Sequence, residues 1–131
     1  MYYFAYGLNL NRQQMLKNCP QSKPKFPATL HHYQFVFTDW TRLWRGATAT
    51  IKPQRGGKVL GGIYEVNDNC LRQIERQLGS DFRQMSVIVN NEDGEPVEAL
   101  TYLRHNPGDA ARPSPEYLTL IQQGYKDWRL I

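Results

Sequence analysis

Apolar and polar positions along this chain predict strands interrupted by a few short helices. The first half of Tyr2–Leu10 is short, aromatic and uncharged, and reads as a buried strand. Gly7 follows, where a chain turns without a Cβ clash, and then Asn9 and Asn11, both good helix-capping residues. Asn11 caps a short helix, Gln14 stands at the reciprocal capping-box position, and Leu10 and Met15 occupy the places of a hydrophobic staple. Pro20 ends that helix by disfavouring helical geometry at Cys19. Residues 21–27, with two prolines and two lysines, read as a loop. Ala28 to Thr38 reads as a strand, because Leu30, Tyr33, Phe35 and Phe37 recur mostly by two.

Residues 39–46 read as a loop, and 47–51 as a strand whose small side chains suit a crowded barrel wall. Residues 53–57 form a glycine-rich turn, and 58–66 a further strand in which Gly61-Gly62 marks a bulge or a close backbone approach. Asn67 or Asp68 caps a helix to about Leu78, with Leu71, Ile74 and Leu78 on one stripe and Gly79 as its stop. Two strands, 82–89 and 95–104, flank the hairpin signal Asn91-Glu92-Asp93-Gly94. Ser114-Pro115-Glu116 opens a last helix carrying Tyr117, Leu118, Ile121 and Tyr125. Strands outnumber helices and do not alternate with them. The class is therefore α+β: six or so strands in a small mixed β-barrel with flanking helices, one domain over residues 1–131.

Composition narrows the picture. At 131 residues the chain is long enough for one domain with one core, and 40% hydrophobic with 21% charged residues is ordinary for a soluble globular protein. No apolar run approaches the ~20 residues of a membrane span, and no signal-peptide pattern opens the chain, so the expected location is cytoplasmic. Cys19 and Cys70 have no metal spacing and read as reduced thiols. His31 and His32, as strand neighbours, point to opposite faces and read as structural rather than metal ligands. The net charge of +4 permits attraction to anions, and Trp40 with Arg42-Leu43-Trp44-Arg45 is the densest basic patch. Arg beside Trp can stack on bases, but a solvated loop with partly buried indoles is the plainer reading, and no nucleic-acid-binding signature accompanies it.

Four stretches carry a resemblance. Tyr6-Gly7-Leu8-Asn9-Leu10 behind an aromatic strand resembles the Tyr-Gly-Ser-Asn-Leu opening of the gamma-glutamylcyclotransferase-like family. Lys58 to Val66 resembles that family's Val-x-Gly-Val-x-Tyr/Trp strand, and Leu71 to Gly79 its Leu-x-x-Leu-Asp-x-x-Glu-Gly helix. Arg112 to Tyr117 resembles its Pro-Ser-Pro-x-Tyr entry to the final helix. The order and spacing agree over nearly the whole chain. The resemblance implies a small mixed barrel with helices, and an activity that releases an amine or amino acid from a gamma-glutamyl compound and leaves 5-oxoproline. In that chemistry the substrate's α-amino group attacks its own γ-carbonyl. Backbone N–H groups of the Tyr-Gly-x-Asn loop hold the oxyanion and carboxylate, and a glutamate moves the proton. It implies neither metal nor organic cofactor.

Carried over position by position, the resemblance breaks where the chemistry sits. Leu78 stands where the catalytic Glu belongs, Leu8 where the loop has Ser, and Phe82 where a pocket Tyr follows after a short deletion. Tyr102 and Tyr117 match pocket tyrosines. The loss of a general acid–base group removes roughly 10² to 10⁴ in rate, or about 3–5 kcal/mol. The expected pocket, lined by Tyr6, Gly7, Leu8, Asn9, Leu78, Phe82, Tyr102 and Tyr117, is therefore repacked as an apolar unit, poor for a zwitterionic gamma-glutamyl head. Its ligand is expected to be a small molecule, gamma-glutamyl-derived or less polar, bound by a monomer or homodimer with usual catalysis lost or altered. Two alternatives stand beside this. One is a working cyclotransferase using another acid, Glu75, one turn before Leu78 on the same helical face; the structural reading of Glu75 is a surface carboxylate beside Arg72 or Arg76. The other is an interaction module using the basic Trp40–Arg45 loop.

Overall fold

A computed structural model describes residues 1–131. Five strands close into a barrel in the order β1-β3-β2-β4-β5, comprising β1 (Tyr2–Ala5), β2 (Lys23–Thr41), β3 (Gly46–Glu65), β4 (Phe82–Asn90) and β5 (Pro96–Arg104). The helices are α1 (Arg12–Asn18), α2 (Asp68–Leu78) and α3 (Pro115–Asp127), and a 3-10 turn covers Leu8–Leu10. All pairings are antiparallel except β1 with β5, which is parallel, so the barrel is mixed as expected. Two of its seams are narrow: Tyr3 with Leu100 joins β1 to β5, and Thr29 with Asn90 joins β2 to β4.

The two strands and glycine-rich turn expected over 47–66 are one continuous strand, β3, paired along β2. The register explains the difference. His31 pairs with Lys58 and Tyr33 with Pro53, so residues 54–57 bulge opposite the single residue His32. Gly56 and His32 both take positive φ there (76° and 69°). The bulge also breaks the alternation that set His31 and His32 on opposite faces, and their exposed rings lie 6.3 Å apart. The loops expected at 21–27 and 39–46 are likewise shorter, because β2 extends over Lys23–Thr41. Register shifts beside Pro24 and Trp40 accommodate the irregularities.

Period-two alternation sorts the side chains into two cores. Phe4 and Tyr6 join Ile51, Ile63 and Val89 in one cluster, while Tyr3 and Ala5 join Tyr64, Ile74 and Trp128 in the cluster that includes the helices. Gly62 is required where the Trp128 indole lies on the strand, and Gly61 where the Ala5 carbonyl approaches. Trp128 donates its indole N–H to the Leu10 carbonyl at 2.8 Å and packs edge-on against Tyr64 at 5.2 Å. The C-terminal end of α3 thereby holds the 3-10 turn.

The helix starts follow the sequence. The side chains of Asn11, Asn67 and Ser114 accept from the N–H groups of Gln14, Cys70 and Tyr117. Cys19 and Cys70 correct an expectation: they form a disulfide, Cα to Cα 5.3 Å, instead of standing as reduced thiols. It joins the C-terminal cap of α1 to the first turn of α2, a pairing that two cysteines 51 residues apart do not disclose.

Candidate functional site

The end of β1 turns at Gly7 directly beneath β3. A Cβ on Gly7 would stand 3.2 Å from that of Ala49, so the turn and the small-residue strand are fitted to each other. The 3-10 turn then bonds Leu10 N–H to the Gly7 carbonyl at 3.0 Å. The N–H groups that open such a turn have no partner within it. Beside it lies a cavity of about 190 Å³, bounded by the Gly7 turn, Thr41, Leu43 and Trp44, Thr48 and Ala49 of β3, Gln77 and Leu78 of α2, Tyr102 and Arg104 of β5, and Tyr117 of α3. That volume exceeds the ~150 Å³ cavity that holds benzene and falls below the ~300–1,000 Å³ of drug-sized sites.

Tyr6, Gly7, Leu8, Asn9, Leu78, Phe82, Tyr102 and Tyr117 all line this cavity, and Glu75 does not. Glu75 lies on the exposed side of α2 in an adjoining recess, sharing Leu78, Phe82 and Tyr102 with the cavity wall. Its partner is neither Arg72 nor Arg76. The Tyr102 hydroxyl donates to Glu75 Oε2 at 2.6 Å and accepts from Gln84 Nε2 at 3.2 Å. No carboxylate is among the cavity's lining residues.

The lining is less apolar than expected. The sequence reading caught Leu8, Leu78 and Phe82 but missed Gln77, Thr48 and Arg104. Asn9 is fully engaged: its carboxamide donates to Tyr3 Oη at 3.2 Å and Gln77 Oε1 at 3.0 Å, and accepts from Asn18 at 3.1 Å. It thus positions the turn against α1 and α2. The phenols are hydrogen-bonded too. Tyr6 donates to the Tyr102 carbonyl at 2.6 Å, and Tyr117 Oη accepts from the Ala49 N–H at 2.9 Å. Burial pushes Tyr3 and Tyr117 up to about 12 and raises Tyr6 further. Tyr102 is also raised, by burial first and then by the Glu75 carboxylate that accepts its hydrogen bond. These phenols stay protonated at neutral pH and do not serve as bases; Tyr6 and Tyr102 donate.

Arg104 ends the otherwise uncharged run Ala99–Leu103 and is 8% exposed. Its Nη2 donates to Thr48 Oγ1 at 2.8 Å, and its guanidinium lies over the Phe82 ring at 4.7 Å. Asp39 Oδ2 stands 3.5 Å from Nε, and Asp81 Oδ2 3.8 Å from Nη1. Asp39 is held below the usual carboxylate range by the adjacent Thr38 hydroxyl, then by the Gly108 N–H at 3.0 Å, with a smaller effect of Arg104. The Thr38 hydroxyl lies short of good hydrogen-bond geometry, so the Gly108 contact is the firmer of the two. The signal for Arg104 was its position: alternation puts it two residues beyond Tyr102, on the same face of β5. Of the basic loop, Trp40 and Leu43 are largely exposed, while Trp44 packs on Tyr117 at 5.1 Å and belongs to the cavity wall.

A closed mixed barrel with flanking helices and a lined cavity beside a glycine turn defines the fold class. A family model described as gamma-glutamyl cyclotransferase, AIG2-like, matches residues 3–130, and the chain belongs to that family. Among curated relatives, the gamma-glutamylcyclotransferase of Homo sapiens is 29% identical over 95% of this chain and 70% of its own length. That of Bos taurus is 26% identical over the same shares. A solved structure named gamma-glutamyl cyclotransferase superposes with a TM-score of 0.91 at 28% identity, covering 97% of this chain and 79% of its own. YkqA from Bacillus subtilis superposes with a TM-score of 0.79 at 25% identity, covering 96% of this chain and 48% of its own. No helix is long and apolar enough to cross a membrane.

Proposed function

We propose that this protein uses the cavity beside the Gly7 turn to bind a small molecule, and that 5-oxoproline-forming catalysis has been lost with the acid at position 78. One observation carries the reading: Leu78 lines the cavity and no carboxylate does. A hydrocarbon side chain cannot take a proton from an attacking amine, and the lining phenols hold theirs too tightly to replace it. Glu75 is the acid nearest to that position along the helix. Its carboxylate accepts from Tyr102 and lines the adjoining recess rather than the cavity. The ligand is gamma-glutamyl-derived or less polar, with no cofactor in the proposal.

The test is direct. Purified protein incubated with gamma-glutamyl amino acids should release no 5-oxoproline above a blank. Turnover that disappears in Glu75→Gln would overturn the proposal in favour of an active cyclotransferase. For location, the family likeness favours the cytoplasm, whereas a persistent Cys19–Cys70 bond favours an oxidising compartment. Thiol labelling of protein taken directly from cells decides between them.

A further inference from the structure

We propose that Arg104 makes this cavity a receptor for a small organic monoanion, a carboxylate on an apolar body, with the guanidinium taking the charged end. The inference rests on the cavity being a ligand site and names the class of ligand. A guanidinium taken out of water is costly unless its charge and its donors are matched. Arg104 is 8% exposed, yet it is only partly matched. Arginine has five N–H donors in a rigid fork. Here one reaches Thr48 Oγ1, while the buried Nε–H has no hydrogen-bond partner at all.

The two nearby carboxylates do not close the fork. Asp39 comes within ion-pair range of Nε at 3.5 Å, but it also accepts from the Gly108 backbone. Asp81, at 3.8 Å from Nη1, is 84% exposed, so its attraction is largely screened by water. An arginine with a purely bracing role normally closes on one carboxylate through two parallel bonds. This one lines the cavity with its fork unclosed and its Nε–H unpartnered. The fork geometry matches a carboxylate, and an incoming carboxylate would replace the long contact to Asp81. The remaining walls, Leu8, Trp44, Leu78 and Phe82, suit an apolar body, and about 190 Å³ accommodates one of roughly benzene size.

Phenylacetate and phenylacetamide share shape and differ in charge, so they separate the guanidinium's contribution from that of the apolar walls. Titrations followed by backbone amide NMR at low ionic strength should show phenylacetate binding at least tenfold more tightly than phenylacetamide, with shifts at Gly7, Leu8 and Gln77. In Arg104→Met, the preference should vanish while phenylacetamide binding persists. Arg104→Lys, which keeps the charge and loses the fork, should fall between them, and it serves if the methionine variant does not fold. Equal binding of the two probes by the unaltered protein, or a preference that survives both substitutions, overturns the role of Arg104 and leaves the ligand site standing. Failure of both probes to move any cavity amide overturns the ligand site itself.

Discussion

Removing the Tyr102–Glu75 hydrogen bond distinguishes a structural tie from a disguised catalytic acid. The bond joins β5 to α2 at 2.6 Å, an O–H to a carboxylate. Hydrogen bonds to charged groups contribute about 1.5–3 kcal/mol. Glu75 is exposed and keeps water on its other lone pairs, which moves the expectation to the lower end. Tyr102→Phe should therefore cost about 1–1.5 kcal/mol, since both Glu75 and Gln84 can turn to solvent when the hydroxyl goes. Glu75→Ala should cost about 1 kcal/mol, and the double variant little more than either single one. Urea unfolding of the four proteins in a double-mutant cycle measures the coupling, expected near 1 kcal/mol, and thermal midpoints should fall by roughly 3–6 °C for each single change. Strict additivity would show that the bond contributes nothing and would release Glu75 for another role. Loss of a turnover in Glu75→Gln without loss of stability would refute the structural reading outright.

Three other outcomes are expected. Reducing the Cys19–Cys70 bond, which closes a separation of 51 residues, should lower unfolding free energy by about 2–4 kcal/mol; urea midpoints with and without dithiothreitol measure it, and a Cys19→Ser, Cys70→Ser protein should ignore the reductant. Gly62→Ala should destabilise by about 1–3 kcal/mol, because its Cβ would stand on the Trp128 indole; an unchanged melting temperature would contradict that packing. Asp39 has a folded-state pKa below its unfolded value, so its contribution is present above the ordinary Asp range near ~3.9 and is lost as pH falls through the lower, folded value. Urea midpoints between pH 5 and pH 3 should therefore fall more steeply for the unaltered protein than for Asp39→Asn.

What was legible in the chain was local chemistry. Caps at Asn11, Asn67 and Ser114, the positive φ of Gly94 in its turn, and the close approaches at Gly61 and Gly62 each follow from one or two residues. What was not legible depended on partners distant in sequence. Pro24, Pro27 and Pro53 lie in stretches that read as loop or turn, yet all three sit in paired strands, Pro24 and Pro53 beside register shifts that accommodate the missing ladder donor. Gln14 occupies a capping-box position, but the Asn11 N–H bonds to the Leu8 carbonyl, supplied by a 3-10 turn that periodicity does not announce. Arg104 looked like a charge ending a strand. Its burial comes from β3, Phe82 and the Asp39 corner converging on it, none of which is adjacent in the chain.

The two single-residue seams leave the β4–β5 hairpin joined to the rest of the barrel by little backbone pairing along both long edges. Across one edge, the Thr101 and Tyr6 hydroxyls stitch β5 to β1 through the Phe4 and Tyr102 carbonyls at 2.8 and 2.6 Å. These are side-chain fastenings in a place where a barrel ordinarily relies on backbone rungs. Deuterium should thus enter the hairpin's amides as one cooperative block, ahead of the β2–β3 ribbon. Because Phe82, Tyr102 and Arg104 belong to that unit while Thr48 and Ala49 belong to the ribbon, one wall of the cavity should lose protection ahead of the other.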